Sequence, residues 1–276
     1  IVVSKKKLNL LDQKKVEKFF KKKKPKIVII AAAKVGGILA NKNFKANFIY
    51  ENLTIQSNII HSSYLSGVKN LIFLGSSCIY PKKTKQPIKE NYFMTGTLEE
   101  TNDAYAIAKI AGAKMCMEYS KQYKLNYKTL MPANMFGSND NYDLKTSHFF
   151  PALIKKIHLA KISNKKTVTL WGNGKPKREL LYVEDFADAC VFFMRKKTKE
   201  NLINIGSGVE KSIKEFAKYI MKKLNINLKI KYDLSKPNGM QRKKLDLTIA
   251  NKYGWKAKTK LDEAFKKVYL DYLKIK

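Results

Sequence analysis

Short apolar runs separated by amphipathic stretches fill the first half of the chain. IVVS comes first, then LLDQKKVEKFFKK, KIVIIAAA, FIYENLTIQSNIIHSSYLSG and NLIFLGSS. Brief apolar runs suit strands buried on both faces, and the longer segments repeat their apolar positions at helical spacing. Strands that alternate with helices form βαβ units and a parallel sheet. The spacing therefore predicts an α/β chain. A loop rich in Pro, Lys and Thr follows over residues 81 to 103, then a helix at about 104 to 122 and the apolar run YKTLMPANMFG. Past residue 138 the regularity breaks, and FFPALIKKIHLAK, VTLWGNG, YVEDFADACVFFMRK, LINIGSG and LDEAFKKVYLDYLKI read as smaller alternating elements. The chain shows neither repeats nor a long low-complexity linker.

At 276 residues the chain is long enough for a core that needs no disulfides. Cys78, Cys116 and Cys190 lack metal-ligand spacing, and their odd number argues against a secreted disulfide framework, so a cytoplasmic protein with no metal site is expected. The longest apolar run, residues 27 to 33, falls far short of the roughly 20 residues that span a bilayer. No membrane insertion is expected. The formal charge of +34 would ordinarily suggest nucleic acid as a partner. Its form speaks against that: only Arg178, Arg195 and Arg242 among the 56 cationic residues are arginine, and the lysines are spread along the chain. A nucleic-acid reader keeps arginine for bidentate contacts. No dedicated nucleic-acid partner is expected, and the arginines mark places where a rigid planar fork is wanted.

Tyr105 and Lys109 stand four apart, on one face of the helix near 104 to 122. The spacing alone means little. Y-x-x-x-K begins also at Tyr219, Tyr232 and Tyr272, and about three copies are expected by chance. Context separates them, because only the Tyr105 copy lies downstream of a strand ending in LGSSCIY. Ligands bind beyond the carboxyl ends of parallel strands. A serine hydroxyl and a phenol brought to one carbonyl oxygen polarise it and deliver a proton. A Ser-rich turn after a buried strand remains the plainer alternative. One element is missing: no G-x-x-G-x-x-G turn follows a strand, although a dinucleotide-binding sheet usually opens with one. The sequence is therefore expected to begin after a first strand, a Gly-rich turn and a first helix. A domain that never bound a dinucleotide is the rival reading.

LNLLD, AAAKVGGI, FIYENLTIQSNIIH, GSSCIYPK, YAIAKIAG, MPANMFG, SHFFPALIKK, WGNGKPKREL, YVED, INIGSG and RKKLD follow one another over essentially the whole chain. In this order they resemble the GDP-L-fucose synthases, a family of 3,5-epimerase/4-reductases among the extended short-chain dehydrogenases/reductases. The resemblance implies a Rossmann-type doubly wound parallel sheet with a smaller C-terminal α/β substrate domain. Residues 1–137 and about 178–208 would bind NADP(H), and about 138–177 and 209–276 a nucleotide sugar. It implies the conversion of GDP-4-keto-6-deoxy-D-mannose to GDP-L-fucose, by C3/C5 epimerisation and then C4 reduction with NADPH. The 276 residues without the Gly-rich turn are expected to be inactive.

Carried over by motif, Ser76, Tyr105 and Lys109 would form the reductase triad, and Cys78 with His148 the epimerising acid/base pair. Protons alpha to a ketone are acidic enough for a thiolate or imidazole to remove. A packed cysteine and a capping histidine are the plain alternatives. The cofactor would meet Lys5, Leu10, Leu74, Gly75, Ser76, Ser77, Lys109, Pro132, Ala133, Asn134, Met135 and His148, along with the turn from Ala31 to Gly37. Lys5 lies where an adenosine 2′-phosphate would favour NADP over NAD. Lys156, Trp171, Arg178, Arg242 and Lys243 would surround the guanine and diphosphate. Arg195 receives no role. The apolar faces near 50 to 66 and 104 to 122 match the helices through which the family pairs, so a homodimer is expected. Another nucleotide-sugar epimerase or reductase of this fold, or a non-catalytic remnant of it, is the alternative.

Overall fold

The computed structural model describes residues 1–236 and 238–275. Helix α1 (Gln13–Lys23) starts where the Asp12 carboxylate accepts the Lys15 amide at 3.0 Å, and it ends at Lys24 with φ 42°, a left-handed stop. Strand β1 (Ile27–Ile30), helix α2 (Ile38–Asn43), helix α3 (Lys45–Leu65) and strand β2 (Asn70–Leu74) follow. After the loop come α4 (Asp103–Tyr123), β3 (Asn126–Pro132) and β4 (Asn134–Phe136). Next are α5 (Phe149–Ile162), β5 (Thr167–Trp171), β6 (Lys177–Tyr182), α6 (Val183–Arg195) and β7 (Leu202–Ile205). The tail adds β8 (Glu210–Ser212), α7 (Ile213–Lys223), β9 (Lys229–Asp233), β10 (Arg242–Lys243), α8 (Thr248–Lys252) and α9 (Leu261–Lys274).

β1, β2, β3 and β7 pair in that order as one parallel sheet. Successive residues of β2 face opposite sides, as strand geometry demands. Leu71 and Phe73 pack with Val16 and Phe20 of α1 and with Ile59 and Ile60 of α3, while Ile72 packs with Phe186, Ala189 and Phe193 of α6. Helices thus cover both faces, and the strands all end at the same edge. A second sheet runs β10, β6, β4, with β8 antiparallel to β6, and β5 pairs with β9. Phe150, Ile154 and Ile157 of α5 meet Phe216 and Ile220 of α7 and Phe265 and Val268 of α9 in a separate core. Leu245, Ala250 and Trp255 join the core of the parallel sheet although they lie late in the chain.

The opening run IVVS, which alternation predicts as a strand, has no regular structure here, and Val2 is fully exposed. A strand exists only with a ladder partner, and none of the described strands pairs with it. Among the described residues no helix is long and apolar enough to cross a membrane.

Candidate active site

β2 ends in a turn that its sequence makes tight. A Cβ on Gly75 would fall 2.9 Å from Cγ2 of Thr129 on β3, so glycine lets the two strand ends stay close. Ser76 then caps a single 3-10 turn, its Oγ accepting the Cys78 amide at 3.2 Å. The turn is pinned from below, because the buried Tyr80 hydroxyl donates to Asn204 Oδ1 on β7 at 2.6 Å. Ser76 and Cys78 are half-buried and face the edge where the strands end.

α4 brings Tyr105 and Lys109 to the same turn. Lys109 is buried, and its ammonium donates to the Leu74 carbonyl at 2.7 Å and lies over the Phe73 ring at 4.6 Å. Burial pushes it down to about 8. It stands 5.9 Å from the Tyr105 ring. The Lys109 charge does not govern the phenol: burial, then the neighbouring Cys78, raise Tyr105, and a hydrogen bond with Ser76 only partly opposes them. Tyr105 therefore keeps its proton.

Cys78 is the most heavily dressed group of the cluster. Lys243 Nζ and Asn102 Nδ2 each approach its sulfur at 3.2 Å. Burial alone would raise the thiol, but the Lys243 charge together with hydrogen bonds from Ser76, Lys243 and Asn102 brings it below its ordinary value. The thiolate is thereby favoured. His148 opens α5 with an extended backbone and makes no capping bond with its side chain. Desolvation lowers its imidazole and Lys243 adds to this, while Asp140 pulls the other way. The Gly37 amide donates to the Thr146 carbonyl at 2.9 Å, which seats the turn of residues 31–37 beside the segment leading to His148. Asn52 holds that turn by accepting from the Lys34 amide at 2.9 Å and donating to its carbonyl at 3.0 Å.

The remaining candidates divide into those at this edge and those beyond it. Ser77, Pro132 and Ala133 are buried at the ends of β2 and β3, Met135 is exposed, and Asn134 Nδ2 donates to the Glu179 carbonyl at 3.0 Å. Lys5 is exposed on a turn closed by the Ser4 carbonyl, and the Leu10 carbonyl accepts from Asn58 of α3 at 2.9 Å, so Leu10 is held to that helix. On the substrate side, Lys156 donates to the Thr169 carbonyl at 3.1 Å with its ammonium 5.3 Å from the Trp171 ring centre, and Lys236 flanks the same ring at 5.9 Å. Arg178 holds the loop before β10 through the carbonyls of Met240 at 2.7 Å and Asn238 at 3.4 Å. Arg242 points its Nε at both carboxylate oxygens of Glu210, at 3.0 and 2.9 Å. Lys243 alone turns away from this group and into the Cys78 cluster.

Asn102 escaped the reading of the sequence, though its place at the N-cap of the Tyr105 helix was a usable signal. The other Tyr/Lys copies lie elsewhere. Tyr219 and Lys223 both bond Asp262 on the surface, Tyr232 is exposed, and Tyr272 packs in the α5–α7–α9 core while Lys276 lies outside the described residues.

Comparison with known proteins agrees with this arrangement. Residues 3–206 match the NAD dependent epimerase/dehydratase family. A GDP-L-fucose synthase of Sinorhizobium fredii is 48% identical over 99% of this chain and 87% of its own length, and that of Escherichia coli is 42% identical over 99% and 88%. Among solved structures, a GDP-6-OMe-4-keto-L-xylo-heptose reductase from C. jejuni superposes with a TM-score of 0.92 at 32% identity, over 100% of this chain and 90% of that one. With the family matched across most of its length and the strand-end cluster in place, the chain belongs to the NAD dependent epimerase/dehydratase family.

Proposed function

We propose that this protein converts GDP-4-keto-6-deoxy-D-mannose to GDP-L-fucose, epimerising C3 and C5 and then reducing C4, with NADP(H) as cofactor. The observation that carries the reading is the double dressing of one strand end: a protonated Tyr105 beside Ser76 and Lys109, and a thiolate-prone Cys78 under Lys243. A simple 4-epimerase needs only the first. The names of the relatives and a structural neighbour bound to NADP, a GDP-L-fucose synthetase from Naegleria fowleri with a TM-score of 0.88, support the same reaction.

The residues present fit a dinucleotide. The turns at 31–37, 74–77 and 132–135 gather at the strand ends, and Lys109 supplies a buried cation that no carboxylate among the described residues pairs, suited to hydroxyl and phosphate oxygens. NADPH, when bound, supplies the reducing equivalent for C4. Ser76 and Tyr105 polarise the C4 carbonyl, which acidifies the protons at C3 and C5; Cys78 and His148 remove and return them as thiolate and imidazole. Tyr105 donates its proton to the C4 oxygen in the reduction. Arg178, Arg242, Lys156 and Trp171 hold the nucleotide, the arginines at phosphate and the Trp171 face at the base.

Paired α3 and α4 helices of two copies would cover Tyr50, Leu65, Ile107 and Tyr123, all exposed apolar residues, and we assign the homodimer to this face. The protein is taken to work in the cytoplasm. Mixing the full-length protein with GDP-4-keto-6-deoxy-D-mannose and NADPH in deuterated water tests the reaction. Loss of reduced-nicotinamide absorbance with deuterium at C3 and C5 of GDP-L-fucose is expected; reduction without deuterium uptake would overturn the reading.

A further inference from the structure

Glu179 is completely buried in β6, next to Arg178, and among the described residues no cation forms a salt bridge with it, Lys244 acting on it only through its charge. Its two oxygens accept backbone amides from two other segments: Oε1 from Gly208 at 2.7 Å and Oε2 from Leu245 at 3.0 Å. The carboxyl lies so close to the chain that a Cβ on Gly206 would fall 2.2 Å from Oε1. Burial raises this carboxyl, and the Leu245 and Gly208 amides draw it back. A buried carboxylate without a salt-bridge partner is costly, and an apolar side chain would fill the space at less cost. What the carboxylate alone provides is a bridge between three backbone segments.

Two of those segments, β6 with Arg178 and β10 with Arg242 and Lys243, carry the proposed substrate contacts. β10 is only two residues long, its ladder to β6 ending at the Lys243–Arg178 pair, and the Leu245 amide comes just after it. Glu179 takes over where the ladder stops. Its other oxygen reaches the Gly206–Gly208 turn at the end of β7, in the rigid parallel sheet. We propose that Glu179 is a positioning residue for nucleotide-sugar binding. It fixes β10 against the end of the parallel sheet, so that Arg242 stays beside the Arg178 loop and Lys243 stays on Cys78. The proposal rests on the reading of Arg178, Arg242 and Lys243 as substrate-side groups.

The test is the affinity for GDP, measured by calorimetry, so that it does not depend on the reaction. In Glu179→Gln the side chain keeps one acceptor and turns an N–H toward the second amide, which releases one of the two segments. The dissociation constant for GDP should rise about tenfold, in line with one lost charge-assisted bond, while that for NADPH stays within about twofold, since the turns proposed for it are not tied by this carboxylate. Gly206→Ala, which displaces the carboxylate without removing its charge, should act in the same direction, and the double variant should be no weaker than the worse single one. If Glu179→Gln fails to fold, Gly206→Ala decides alone. Unchanged GDP affinity, equal weakening of GDP and NADPH, or additive single effects would each overturn the proposal. A wild-type protein that binds GDP but does not turn over the keto sugar would instead count against the proposed reaction.

Discussion

Two lysines lie buried at opposite ends of the same parallel sheet, and the contrast between them separates function from architecture. Lys109 sits where the strands end, on the Leu74 carbonyl and above the Phe73 ring. Lys128 sits on β3 nearer where they begin, donating to the carbonyls of Phe193 at 3.0 Å and Lys196 at 2.9 Å that close α6. Burial pushes both down to about 8. A perturbed lysine therefore does not mark a catalytic site by itself. The neighbours set the two apart: Lys109 lies beside Tyr105 at the end of β2, from which the proposed Ser76 and Cys78 follow, whereas Lys128 satisfies the last carbonyls of a helix, a capping role that suits a cation.

The largest test of this contrast is at the carboxyl end. Tyr105→Phe removes only the acid and should lower kcat for NADPH oxidation by about 10²–10⁴-fold with the melting temperature unchanged. A drop of less than tenfold would move the acid elsewhere. Cys78→Ser should slow deuterium uptake at C3 and C5 by a similar factor, about 10²–10⁴, yet spare reduction of an already epimerised keto sugar; equal loss of both would make the cysteine structural.

At the opposite end the effect should be on stability instead. Lys128→Met leaves two helix-end carbonyls unpaired and should cost about 1–3 kcal/mol in denaturant unfolding, with KM and kcat unaltered. Its pH dependence follows from the lowered lysine. Between about pH 8 and 10.5 the unfolded chain holds a proton on Lys128 that the folded chain has released, so stability rises with pH across that window. Lys128→Met should flatten that rise. An exposed lysine sets the lower bound: Lys114, paired with Glu118 one turn away at 2.6 Å, should lose only about 0.3–0.5 kcal/mol on substitution by Ala. A loss there greater than that of Lys128→Met would mean that exposed pairs matter more in this lysine-rich chain than buried capping does.

Much of the architecture was readable along the chain, because periodicity is local. The runs NLIFL and NYKTLMP became β2 and β3, the amphipathic segments became α1, α3 and α6, and of the four Tyr/Lys pairs the one on α4 lies at the end of β2. IVVS was not readable in this way, since a strand needs a partner that no local pattern supplies. Neither was the direction of Lys243. Its number lies 165 positions from Cys78, and only the pairing of β10 with β6 brings its ammonium to the sulfur. In a chain with lysine nearly everywhere, composition gave no reason to single it out.

By itself, then, the sequence determined the alternation of strands and helices and the strand end that carries GSSC, which follow from burial and spacing within some twenty residues. The tertiary structure alone decided protonation and partnership. Tyr105 holds its proton more firmly because folding strips water from it, Cys78 is brought below an ordinary thiol because a distant lysine is folded onto it, and Lys109 and Lys128 differ only in what surrounds them. Desolvation and Coulomb energies depend on distance in space rather than distance along the chain.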